Sequence, residues 1–202
     1  MAGNTTLPIE KISDKVEYML ATESDSINVN TADDLTMQTY DTIAKASENK
    51  GSIPGQATGF DNIDLKMGGI DGLAVLGARP GMGKTAFALN VAEHIVYNEL
   101  KPVVFFSLEM GAQQLMLRLV SSMTRIKYSA LRYGELEDDD WTKLASFMNQ
   151  SEKTKKLLIC DEPKMTVRKI RSVCRRLKKQ YGSLGAVIVD YLQLIEMPNN
   201  KN

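Results

Sequence analysis

The chain has 202 residues with 25 acids and 25 bases, so its formal charge is zero. That length holds one domain plus an extension, and the neutral total alone argues for no partner. With no basic-then-apolar start and no run of about eighteen apolar residues, the expectation is a soluble, cytoplasmic protein with no membrane partner.

The charge is unevenly spread. Residues 1–60 carry nine acids and four bases, which leaves 16 acids and 21 bases for the remainder. That excess permits a polyanionic ligand without proving one. Cys160 and Cys174 have no metal-ligand neighbour at useful spacing and fit a reducing compartment.

Residues 1–7 read as a polar tail. Pro8 can open a short helix with Ile9, Ile12, Val16 and Met19/Leu20 on one side. Residues 22–31 are polar and read as a linker. Thr31 then caps a second helix, with Asp34 at the capping-box spacing. Leu35, Ile43 and Ala44 give it a thin apolar stripe, and Gly51 ends it. Two such helices cannot make a core alone. They read as a floppy extension or as an arm that docks on another subunit. Pro54, Gly55 and Gly59 mark a boundary by composition. The expected division is an extension and linker helix over 1–57, then a compact domain over 58–202 that begins near Thr58.

Leu73 to Leu76 reads as a buried strand. A glycine-rich turn follows, then Lys84, Thr85 and a helical pattern: strand, phosphate loop, helix. Glycines let backbone N–H groups close on phosphate oxygens, and the helix start adds its positive end. Lys84 can reach the β- and γ-phosphates, and Thr85 can hold Mg²⁺ through its hydroxyl. The strict pattern wants Gly where Ala78 stands; Gly77 lies one residue early and Gly81 sits inside the loop. The competing reading is a chance glycine-rich turn before a helix.

Phe87, Ala88, Val91, Ala92, Ile95 and Val96 recur at helical spacing. His94 on that helix reads as a surface or satisfied core residue. Val103–Phe106 is the next strand, ending in Ser107-Leu108-Glu109-Met110. A helix follows with Leu115, Met116, Leu119, Val120 and Met123 as core filling. The acids Glu137 to Asp140 suit a helix start better than a metal site. Trp141, Leu144, Ala145 and Met148 follow on that helix. Leu157–Cys160 is a third strand, closed by Asp161-Glu162-Pro163. Thr166 caps a basic helix with Val167, Ile170, Cys174 and Leu177 inside. Its arginines and lysines form either a nucleic-acid face or a solvated outer face. The latter is favoured, because no aromatics interleave and acids elsewhere balance them. Tyr181-Gly182 ends the helix, and Ala186–Val189 is a fourth strand ending in Asp190.

Strands alternating with helices predict an α/β fold with a parallel sheet covered on both faces. Ligands in such sheets bind at the carboxyl ends of the strands, where Glu109, Asp161 and Asp190 all fall. A magnesium acid belongs at the end of an apolar strand, and both Asp161 and Asp190 qualify. The first has Glu162 beside it as a potential base. Asp190 has Tyr191, so its base must come from another strand, and Glu109 is placed for that role.

Four stretches carry a resemblance. They are Ala78-Arg79-Pro80-Gly81-Met82-Gly83-Lys84-Thr85; Phe106-Ser-Leu-Glu-Met110 with Gln114-Leu115 and Arg118-Leu119; Leu136-Glu-Asp-Asp-Asp-Trp141; and Val189-Asp-Tyr-Leu-Gln-Leu194. Together they resemble a DnaB-type replicative helicase, over about Thr58 to Pro198. The Ser-Leu-Glu-Met and Asp-Tyr-Leu-Gln-Leu boxes are quite specific to that family, where Ala at position 78 is normal.

The resemblance implies a RecA-like P-loop ATPase domain that uses ATP and Mg²⁺ and forms hexameric rings on single-stranded DNA. It implies binding of the nucleotide by residues 78–85. Lys84 contacts phosphate, Thr85 and Asp190 serve the magnesium, and Glu109 is the catalytic base. Arg118 matches an arginine against the nucleotide base, and Gln193 belongs to the motif with a structural or a catalytic role. Asp161-Glu162 becomes a loop start. Primase, a helicase loader or a full-length helicase are the implied protein partners, in a bacterial or phage-infected cell.

Departures from the family are large. Its helical N-terminal domain has no counterpart; only a linker helix near residues 31–50 does. The family's next strand after Asp190, which lies between the strands of the two phosphate-site motifs and ends in a sensor glutamine, is not in this sequence. Nor are its DNA loops and arginine finger. The sheet is therefore expected to lack a central strand, leaving unpaired backbone and exposed apolar surface. A partial chain, a truncated product and a split gene product all fit. Three functions follow: the nucleotide-binding half of a 5′–3′ helicase motor, a non-catalytic fragment that binds and regulates a full-length helicase, or another RecA-like ATPase. Little or no turnover is expected from the 202 residues alone.

Overall fold

The computed structural model describes residues 30–48 and 53–196. The predicted helix over Pro8–Leu20 and the stop at Gly51 lie outside them. Contacts divide the chain into two units, 1–54 and 55–202.

The first unit contains one described helix, α1 (Ala32–Glu48). Its start is a reciprocal cap: Asp34 N–H donates to Thr31 Oγ1 at 3.2 Å, and Thr31 N–H donates to Asp34 Oδ2 at 3.0 Å. Two orphan donors of the first turn are thereby satisfied, as the spacing predicts. No α1 residue is buried. Met37, Tyr40 and Ile43 stay well exposed.

The second unit is α/β. Its helices are α2 (Asp61–Met67), α3 (Lys84–Tyr97), α4 (Ala112–Thr124), α5 (Tyr128–Tyr133), α6 (Asp138–Met148), α7 (Ser151–Thr154) and α8 (Val167–Tyr181). Its strands are β1 (Val103–Ser107), β2 (Leu157–Cys160) and β3 (Ala186–Asp190). They form a parallel sheet in the order β2-β1-β3. The central strand reads Val-Val-Phe-Phe-Ser without alternation and is buried throughout, as a strand covered on both faces must be. Ser107 pairs with Asp190 in register, so β1 and β3 end together. Around β1 pack Leu89, Ala92, Ile95 and Val96 of α3 and Leu115 and Leu119 of α4. These are the positions that helical spacing marks as apolar, and they anchor both helices to the sheet.

One predicted element is absent. Leu73–Leu76 is not a strand, and Leu73, Val75 and Leu76 are 53%, 60% and 47% exposed. The reason is lateral. A strand exists only with a neighbour to bond, and among the described residues none of these four makes a backbone hydrogen bond outside regular elements. Among the described residues β3 bonds only β1, which leaves its other side unpaired there. Of the four expected strands, three form.

The lead-in to the domain is tied down by Asp64. Its carboxylate, in a residue 3% exposed, accepts from Thr58 N–H (2.9 Å), Thr58 Oγ1 (2.8 Å) and Gly59 N–H (3.1 Å). Burial pushes Asp64 up, but the Thr58 and Gly59 bonds outweigh it and hold the group below its ordinary value. Phe60 stacks on Phe87 of α3 at 4.8 Å. Gly59 has φ +83°, and a Cβ there would lie 2.6 Å from the His94 ring. His94 is thus a packing residue, with Asn98 Nδ2 3.1 Å from its Nδ1.

The acids at 137–140 start α6: Glu137 and Asp140 form a reciprocal capping box. Asp139 and Asp140 also pair with Lys143. Phe147, not Trp141, is the buried aromatic of that helix; Trp141 is 61% exposed. Thr166 caps α8 by accepting from Lys169 N–H at 3.3 Å. Cys160 and Cys174 are free thiols.

Candidate functional site

The loop before α3 turns at two glycines, Gly81 and Gly83, with φ of 77° and 86°. An added Cβ at either would meet nothing within 4 Å. The turn itself, rather than crowding, requires glycine there. Gly83 also occupies the N-cap of α3 and offers no side chain, and the first turn of α3 holds no acid. The helix's leading N–H groups are left for an anion.

From the first turn of α3, two side chains reach the end of β3. Thr85 Oγ1 donates to Asp190 Oδ2 at 2.5 Å. Lys84 Nζ lies 3.6 Å from Asp190 Oδ1. Asp190 is 4% exposed. A carboxylate that buried needs a cation and a donor, and it has both. The Lys84 ammonium also sits 4.1 Å from the centre of the Tyr191 ring, within cation–π range. Tyr191 was not singled out from sequence except as a residue that cannot be a base. Its only signal is adjacency to Asp190.

The arrangement suits Mg²⁺. A hydroxyl and a carboxylate oxygen in contact, beside an ammonium, fit a hard cation that is held with phosphate oxygens and water. Among the described residues no three His, Cys, Asp or Glu side chains gather into a cage of their own. Such a cation would therefore come with its phosphates.

Glu109 and Asp161 stand at the same edge of the sheet, just beyond β1 and β2, and both are exposed. Ser107 Oγ donates to Met110 C=O at 2.7 Å, which closes the turn that carries Glu109. Asp161 has a different partner. Its Oδ2 accepts from Ala112 N–H at 2.8 Å and so caps α4 from outside the helix.

Arg118 lines a cleft of about 310 Å³ between α3, α4 and α5, with Ala86, Leu89, Asn90, Ser121, Ser122 and Tyr128. The volume lies at the low end for small-molecule sites. The cleft begins one residue after Thr85. Arg118 lies over Tyr128, 5.5 Å from the ring centre, and Ser122 Oγ donates to Glu93 at 3.0 Å. Tyr128 and Asn90 carry no sequence signal, because only the packing of α3 on α4 and α5 brings them here. Gln193 is half-buried in the 3₁₀ turn Leu192–Leu194 that follows β3.

The structure thus brings Lys84, Thr85 and Asp190 into direct contact. It places Glu109 at the same sheet edge and sets Arg118 along the flank of α3.

Comparison with known proteins agrees with this geometry. The sequence profile of the DnaB-like helicase C terminal domain matches residues 55–202. The replicative DNA helicase DnaC of Bacillus subtilis (strain 168) is 42% identical over 165 residues, covering 81% of this chain and 36% of that protein. The replicative DNA helicase DnaB of Geobacillus stearothermophilus is also 42% identical, over the same shares. Among solved structures, a DnaB-like replicative helicase described with its primase interactions matches with a TM-score of 0.74 at 28% identity, over 96% of this chain and 46% of that one. The chain spans about a third of the length of these curated relatives. Among the described residues no helix is long and apolar enough to cross a membrane. With the profile covering the whole of the second unit, the chain belongs to the DnaB-like helicase C-terminal domain family, a RecA-like ATPase fold.

Proposed function

We propose that this chain is the nucleotide-binding part of an ATP-driven replicative DNA helicase motor. The observation that carries the reading is the convergence of Lys84, Thr85 and Asp190 at the carboxyl end of β3. The extension and linker helix occupy 1–57 in this reading, and the ATPase domain 58–202. The nucleotide is MgATP. Residues 78–83 wrap its phosphates through backbone N–H groups, and Lys84 neutralises phosphate charge. Thr85 and Asp190 hold Mg²⁺, which supplies charge neutralisation at the phosphates. Arg118 lies along the base, and Gln193 supports the turn after Asp190. Glu109 accepts the proton of the attacking water, because Asp190 is followed by Tyr191 rather than an acid.

The remaining parts of the motor come, in this reading, from residues or subunits outside these 202 residues. A hexameric ring on single-stranded DNA, moving 5′ to 3′ in the cytoplasm of a bacterial or phage-infected cell, supplies the arginine finger in trans. Primase and a loader are its proposed partners. The exposed Met37, Tyr40 and Ile43 of α1 favour docking of that helix on a neighbouring subunit. The same feature supports a second reading, in which the chain binds a full-length helicase and regulates it.

A single-turnover assay with labelled ATP tests the motor reading. Without a finger in trans, the wild-type chain is expected to cleave slowly, at roughly 10⁻⁴ to 10⁻² per second. Glu109→Gln is expected to lower that rate by about 100-fold or more and to leave MgATP binding within a factor of about two. Cleavage by Glu109→Gln at the wild-type rate removes Glu109 from the base role. Robust DNA-stimulated turnover by the wild-type chain contradicts the need for parts from other subunits.

A further inference from the structure

Residues 164–179 contain eight lysines and arginines, and no acid lies between Glu162 and Asp190. α8 turns its apolar side inward at Ile170, which is 6% exposed, with Val167 and Cys174 half-buried. Arg168, Arg175, Arg176, Lys178 and Lys179 are all exposed. Positions 168, 175 and 179 recur at helical spacing along one side. From 168 to 179 they span about 16 Å at the rise of an α-helix.

From sequence, acids elsewhere balance these charges in sum, and the structure shows where the paired ones go. The paired carboxylates are committed locally: Asp139 and Asp140 to Lys143, Glu152 to Lys155, Glu99 to Lys101. Among the described residues, no ion pair reaches Arg168, Arg175, Arg176, Lys178 or Lys179. A row of cations without an ion pair holds a positive potential.

The form of the row selects its ligand. Charge is repeated over three helical turns with no pocket, so it suits a ligand that repeats charge along its length. The apolar side of α8 is buried at Ile170 and half-buried at Val167, Val173, Cys174 and Leu177, so little of it remains for a bilayer. The exposed positions of the helix before Tyr181 carry no aromatic side chain. Contact is therefore with phosphates rather than with stacked bases. The place is also separate from the nucleotide site. α8 runs from the end of β2 back to the start of β3, so Arg175–Lys179 approach the amino end of the sheet, opposite Asp190.

We infer that the cationic face of α8 is a second nucleic-acid contact, which binds the phosphate backbone of single-stranded DNA away from the nucleotide site and without base selection.

The test is fluorescence anisotropy of labelled dT30 and dA30 with the 202-residue chain, across a salt series. The wild type is expected to bind both strands with affinities within about twofold, since phosphates carry no sequence information. For Arg175→Glu with Arg176→Glu, affinity is expected to fall at least tenfold. The slope of log affinity against log salt is expected to shrink by about 1.4, two phosphates at about 0.7 each. The milder pair Lys178→Gln with Lys179→Gln reads the same face and is expected to lose about threefold or more with a similar change of slope. Both variants should bind a fluorescent ADP as the wild type does, which reports an intact fold. Variants that bind ADP and retain wild-type DNA affinity and slope overturn the inference. So does a wild-type chain that shows no DNA binding at low salt, that prefers one base strongly, or that binds phosphatidylserine vesicles more tightly than dT30.

Discussion

Lys84→Ala is expected to weaken ATP binding by at least about 100-fold, which corresponds to roughly 2.7 kcal/mol. Two effects add. The variant removes the cation that faces Asp190 beside the phosphate loop. It also strands Asp190, whose carboxylate now faces Lys84 at 3.6 Å in a residue 4% exposed. With only Thr85 as donor, the buried charge is under-compensated, which costs about 1–3 kcal/mol of stability. Lys84→Arg is not expected to rescue binding. The bulkier planar fork does not reproduce the compact point charge that Lys84 holds 3.6 Å from Asp190. Equilibrium titration with a fluorescent ATP analogue gives the affinity, and urea unfolding gives the stability. If Lys84→Ala binds as tightly as the wild type, the loop does not hold phosphates.

Asp190→Asn and Asp161→Asn are expected to separate cleanly. Asp190→Asn should lose the Mg²⁺-dependent part of nucleotide affinity, about 10- to 100-fold, and leave metal-free ADP binding near wild type. An amide keeps the shape and still accepts from Thr85, but it offers no charge to the metal or to Lys84. Asp161→Asn should leave nucleotide binding unchanged. Its carboxylate caps α4 at Ala112 N–H, 2.8 Å away; the Asn amide oxygen still accepts that bond, so the loss is only the charge at the helix start, about 0.3–1 kcal/mol of stability. Titrations with and without Mg²⁺, set beside urea unfolding, distinguish the two. A larger Mg²⁺-dependent loss from Asp161→Asn would reverse the assignment.

Much of the fold was legible because it rests on local pattern. The apolar runs at 103–106, 157–160 and 186–189 became β1, β2 and β3, and the helical spacing over 87–96 became the inner face of α3. The caps at Thr31 and Thr166 were legible for the same reason: donor and acceptor sit three residues apart. Leu73–Leu76 failed because a strand is a pairwise structure. Its residues have the right character, but pattern cannot supply the neighbour that bonds them. At the site, sequence reached Lys84 and Thr85 through motif spacing, and Asp190 rather than Asp161 only through the family resemblance. It could not reach the Tyr191 ring beneath Lys84, the capping of α4 by Asp161, or the lining of the Arg118 cleft by Tyr128. Each depends on how one element packs against another across long stretches of chain. The cationic face of α8 was visible as a composition. That five of its cations make no ion pair among the described residues was not, because that depends on where the acids fold to.

In the proposed function, Lys84, Thr85 and Asp190 make a Mg²⁺-nucleotide site. Isothermal titration of ATPγS into the 202-residue chain tests it most directly. One nucleotide is expected to bind per chain in Mg²⁺, with affinity falling at least about tenfold in EDTA. Absence of saturable binding in Mg²⁺, or equal binding with and without the metal, would contradict it.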